Sequence, residues 1–145
     1  MEIAPMVKRL RTPDKTPERK VFSYEKKPIA KIGREILVLC NQIAAGMNKM
    51  YKYQLGQELC QRGTDLVSSI YLALDDMGVS KQKEEDILTI NRDILRLLVV
   101  VRVARDVNQV AQNNFESMIC KIVSLKTQTE NWLSFIKKEN DKQNQ

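Results

Sequence analysis

Histidine is absent from all 145 residues, which removes imidazole acid-base catalysis, Ser-His and Cys-His nucleophile pairs, and histidine-ligated metal sites. Glycine (5), proline (4) and aromatic residues (6%) are scarce, which argues against a turn-rich β fold and for helices. Cys40, Cys60 and Cys120 cannot all pair within one chain and form no CxxC unit, so neither a disulfide framework nor a zinc site is expected. No stretch of about 18 apolar residues suits a membrane span, and the opening MEIAPMVKRLRTP lacks the apolar core of a signal peptide. These absences predict a cytoplasmic protein with reduced thiols, no membrane partner, no cofactor and no catalytic role.

Hydrophobic residues at 43% and charged residues at 29% supply one globular domain. Lys and Arg total 24 against 18 Asp and Glu, a net charge of +6, which biases the surface toward polyanions. Residues 1–27 carry eight basic and four acidic side chains, so +4 of that excess lies there. With Pro5, Pro13 and Pro17 and no sustained apolar period, residues 1–27 read as a basic flexible arm. The folded domain is expected over 28–138, with a frayed polar tail over 139–145.

Ile29, Ile32, Ile36, Leu39, Cys40, Ile43 and Met47 recur at steps of three and four, which predicts a first helix over Pro28 to Ala45 with Pro28 in its first turn and Gly46 at its stop. Leu55, Leu59, Leu66, Ile70, Ala73 and Leu74 continue as a second stripe ending near Met77, with Gly63 at a step where a neighbouring backbone approaches. Gly78 ends that helix and Ser80 caps the third, whose stripe is Ile87, Ile90, Ile94, Leu97, Leu98 and Val101. After a polar break at Asp106 to Asn108, the stripe Phe115, Met118, Ile119, Ile122, Leu125, Trp132, Leu133 and Ile136 makes a fourth. Joined by short links, the four predict an all-α, antiparallel up-down four-helix bundle.

The third helix departs from that plan. With its core stripe on Ile90, Ile94 and Val101, a rotation of 100° per residue turns Arg92, Arg96, Val99 and Val103 to the opposite side, with Leu95 and Val100 beside them. A helix apolar nearly all round is covered on both sides, so Leu95, Val99 and Val103 are predicted to form a homo-oligomer interface; scattered surface valines are the plainer alternative. Lys49, Lys52, Arg92, Arg96, Arg102 and Arg105 are the candidate nucleic-acid or partner contacts, because phosphate binding needs only cations spaced along a surface. Taken singly, each also suits a solvated face or a surface ion pair. Tyr51 and Tyr53 interleave with Lys49 and Lys52, an arrangement that stacks a base or, more ordinarily, caps the core. Trp132 reads as a core or interface anchor, and Cys40 and Cys60 as inert buried thiols. Asp75 and Asp76 close one helix, while Glu84, Glu85 and Asp86 open the next, where they complement the helix dipole.

The segment YKYQLGQELCQRGTDLVSSIYLALDD, Tyr51 to Asp76, resembles the second helix of the accessory variability determinant proteins of diversity-generating retroelements. An Arg-rich third helix, ILRLLVVVRVARD, and a fourth ending in NWLSFIKK are similar to theirs, and the resemblance spans about residues 29–138. Related four-helix proteins are encoded in intervening sequences of ribosomal RNA genes. The resemblance implies a pentameric ring with a basic surface that binds the element's reverse transcriptase and its template RNA or cDNA, without being the polymerase. It implies no catalytic residue. The six basic candidates and the apolar strip are where those contacts fall on this chain. The alternative is a structural interaction module of the intervening-sequence type with no nucleic-acid role.

Overall fold

A computed structural model describes residues 23–76 and 78–144, which are all helix and connecting turns, with no strand among them. The long helices are α1 (Pro28–Ala45), α2 (Gln57–Asp75), α3 (Lys81–Asp106) and α4 (Gln112–Gln143). A helical turn, Lys49–Tyr51, and a π-helical stretch, Lys52–Gly56, lead into α2. The basic arm as far as residue 22 and the expected stop near Met77 lie outside the described residues.

The first helix has the predicted bounds. Pro28 stands in its first turn, where its missing N–H costs nothing. Gly46 ends it in an ordinary right-handed conformation by donating its N–H to the Ile43 carbonyl at 3.1 Å, so its conformational freedom is not what stops the helix. Ser80 caps α3, its Oγ accepting the Lys83 N–H at 3.1 Å. The polar break after α3 turns on Asn108, at φ 60°, a left-handed conformation that asparagine tolerates.

One hydrophobic core runs through the molecule: α1 packs on α2 and α4, α2 on α3, and α3 on α4. Ile36, Leu59, Leu66, Ile70, Ile87, Ile90, Leu97, Met118 and Leu125 are fully buried in it, and each such side chain contributes roughly 1.5–3 kcal/mol by leaving water. At Gly63 the close neighbours are side chains rather than backbone. A Cβ there would lie 3.0 Å from Leu37 Cδ1 and 3.1 Å from Cys40 Sγ.

Three elements differ from the sequence expectation. The π-helical stretch widens the turn before α2, leaving Tyr51 packed against the core and Tyr53 exposed, so only the first tyrosine caps it. At the amino end, Tyr24 is buried and its hydroxyl donates to Asp75 Oδ1 at 2.7 Å, so contact with the core begins before Pro28. At the carboxyl end, α4 runs past residue 138 to Gln143, because Asn140 is buried and donates to the Ser80 carbonyl at 3.0 Å and to the Glu84 carboxylate. No helix among the described residues is long and apolar enough to cross a membrane.

Candidate nucleic-acid and assembly face

On α3 the inner face is Ile87, Ile90, Ile94, Leu97, Val101 and Ala104, all buried. The outer face carries Leu95, Val99 and Val103, exposed by 61%, 55% and 45%. Their spacing of four residues makes one strip along the helix. Val100 turns inward and packs against the core instead. Beside the strip, Leu95 and Leu98 of α3 and Val123 of α4 line a groove of about 410 Å³. Asn91 lies in its wall, with a side-chain oxygen that is buried without a hydrogen-bond partner. The exposed apolar surface therefore reaches from α3 across to α4.

The six basic candidates separate into two groups. The side chains of Lys49, Lys52 and Arg92 are exposed and make no hydrogen bond or ion pair among the described residues. The other three are engaged. Arg96 pairs with the buried carboxylate of Asp93 at 3.2 Å, and Asp93 also accepts the Ser69 hydroxyl of α2 at 2.5 Å. Arg102 pairs with Asp106 at 3.3 Å, one helical turn on. Arg105 is half-buried; it donates to the Val110 carbonyl at 2.7 Å and to Gln112 Oε1 at 2.5 Å, with its guanidinium 6.0 Å from the Phe115 ring. Arg105 thereby holds the α3–α4 connection.

The fold does bring distant candidates together at one end. The Asn48 N–H donates to Gln109 Oε1 at 2.8 Å, which sets Lys49 and Lys52 beside the carboxyl end of α3 and its Arg102 and Arg105. Arg92 stands about 20 Å away along α3. The cations form a cluster at the end and a second pair, Arg92 and Arg96, one turn apart on the flank of α3.

Sequence reasoning missed Lys83. Its side chain is only 6% exposed, and its ammonium donates to the Ala73 carbonyl at 2.7 Å and to the Asp76 carbonyl, satisfying the end of α2 with a positive charge. The same nitrogen lies 5.0 Å from the centre of the Trp132 ring. Burial pulls this lysine below its ordinary value, while Asp76 and Asp86 oppose that shift. The signal is the place of Lys83 four residues before Ile87 on the inner stripe of α3, a position where lysine is seldom buried.

Cys40 and Cys60 are poor nucleophiles. Burial and the neighbouring Cys60 push Cys40 up to about 12, and burial raises Cys60. No cluster of three metal-ligating side chains occurs among the described residues. Compared with known protein families and with curated proteins, the chain matches none.

Proposed function

We propose that this chain is a non-catalytic, self-associating accessory protein that binds RNA and a reverse transcriptase in a diversity-generating retroelement, supporting mutagenic copying of the template. The observation that carries self-association is the exposed strip Leu95, Val99 and Val103 on an otherwise core-forming helix. Leaving it in water is costly at about 25 cal/mol per Å² of apolar surface, and a sister protomer on the α3–α4 face removes that cost. The order of helix packing supports an antiparallel up-down four-helix bundle as the protomer, and the resemblance implies that the assembly is a pentamer.

Polyanion binding is supported by the net charge of +6 and by the unpaired Lys49 and Lys52 beside the carboxyl end of α3. The reverse transcriptase and the retroelement setting rest on the resemblance of Tyr51 to Asp76 alone. One observation favours a second reading, a structural module that docks proteins without nucleic acid. Arg96, Arg102 and Arg105 are already engaged by Asp93, Asp106 and the α3–α4 connection, which leaves fewer cations for phosphate.

Sedimentation of the full chain, alone and with structured RNA, tests both halves. The proposal expects a species several times heavier than the 16.8 kDa chain, and RNA binding that weakens steeply between about 0.1 M and about 0.5 M salt. An oligomer indifferent to RNA selects the structural module. A monomer at micromolar concentration removes the assembly.

A further inference from the structure

At the end of the molecule opposite Lys49, about 27 Å along α1, lies a cavity of about 540 Å³ between α1, the end of α2, the start of α3 and the middle of α4. Its walls are mostly apolar, with Ile29 of α1, Leu74 of α2 and the Trp132 ring of α4. The polar groups that reach it are of one sign or neutral. Among the described residues Lys27 and Lys83 are its charged lining, Tyr24 and Gln128 supply a hydroxyl and an amide, and no carboxylate lines it.

Lys83 uses two of its three N–H groups on the carbonyls of Ala73 and Asp76, and its remaining N–H has no oxygen partner among the described residues. Lys27, at the amino end of α1, is exposed and unpaired among them. The first turn of α1 has no capping side chain and no acidic residue, so its N–H groups and dipole add to the positive field there. Burial disfavours the charged form of Lys83, and Asp76 and Asp86, outside the cavity, oppose that shift. Volume and lining both fall in the range of sites for small molecules, which are apolar pockets with a few placed polar groups.

We infer that this cavity is a binding site for a small amphipathic anion, an aromatic or similarly compact apolar body bearing one carboxylate. The body lies against Trp132, Leu74 and Ile29, and the carboxylate meets Lys27 and Lys83 at the head of α1. This activity is separate from the assembly on α3 and from the cations around Lys49, and neither is needed for it.

Trp132 is the only tryptophan in the chain, so its fluorescence reports on this cavity alone. Titration of the full-length protein with phenylacetate is expected to change that emission saturably. Phenylacetamide, the uncharged counterpart, is expected to bind about tenfold more weakly, the contribution of a charged hydrogen bond. Lys27→Glu, at an exposed position, is expected to weaken phenylacetate binding by about threefold or more. Gln128→Phe, which fills the cavity from its rim, is expected to abolish it while the helical circular dichroism is kept. No saturable change up to about 10 mM phenylacetate, equal affinity for acid and amide, or undiminished binding in the Gln128→Phe variant overturns the inference.

Discussion

The Ser69 hydroxyl of α2 donates to the Asp93 carboxylate of α3 at 2.5 Å, and that carboxylate is only 6% exposed. A buried acid is costly unless it is hydrogen-bonded and paired, and Ser69 and Arg96 meet both requirements. Asp93 therefore does two things: it joins α2 to α3, and it holds the charge of Arg96 on the helix that carries it.

Asp93→Ala is expected to cost about 2 kcal/mol, because it leaves Ser69 without its partner in a half-buried site. Asp93→Asn keeps an acceptor and is expected to cost less. Urea denaturation followed by circular dichroism measures both. Asp93→Asn also releases Arg96, so RNA affinity at low salt is expected to rise rather than fall.

Val99→Glu combined with Val103→Glu is expected to break the assembly without unfolding the protomer. Both side chains are exposed, where substitutions shift stability by about 0.5 kcal/mol or less. Sedimentation of the variant should give the single-chain mass with a melting temperature near that of the parent. A variant that stays assembled places the interface elsewhere.

The basic candidates are expected to behave as two classes. Lys49→Glu and Lys52→Glu should each weaken RNA binding and lower the salt slope by about 1, with little change in stability. Arg105→Ala should instead lower stability by about 1–3 kcal/mol, since the Val110 carbonyl loses its donor and the start of α4 loses its tether. Filter binding over a salt series, alongside thermal melts, separates the classes.

Stability is expected to decline in alkali. Burial and the Asp75 carboxylate raise Tyr24 from 10.0 to about 12, and burial raises Cys40 from 9.0 to about 12. A raised group keeps its proton in the folded state where the unfolded chain has lost it. Its stabilisation is thus full below the unfolded value and lost as pH rises through the folded one. Lys83 works the other way, because its lowered value makes stability rise as pH approaches 10.5 from below. With Tyr24, Cys40 and the likewise raised Cys60 set against Lys83, urea midpoints measured from about pH 8 to about pH 11 should fall overall. Tyr24→Phe should flatten the fall, and an unchanged pH profile in that variant would contradict the assignment to Tyr24.

Much of the helical layout was legible in the chain. The bounds of α1 follow from Pro28 and a stripe of six apolar steps, and the start of α3 follows from Ser80. The π-helical stretch at Lys52–Gly56 was not legible, because nothing in KYQLG distinguishes it from an ordinary helical turn. The helical tail was illegible for a related reason. KKENDKQNQ has no apolar residue, yet Asn140 is buried because the Ser80 carbonyl and the Glu84 carboxylate, some sixty residues earlier, lie within reach.

Apolar periodicity by itself determined that the chain is helical, where its main stripes lie, and that α3 has more apolar surface than one core takes up. Those are local properties, since a residue's direction on a helix depends only on its place in the 3.6-residue turn. Tertiary structure alone decided which charges remain available. Whether Arg96 is free depends on the buried Asp93, and whether Lys83 is solvated depends on the unsatisfied carbonyls at the end of α2. A hydrogen-bond partner brought in from another helix leaves no period in the sequence.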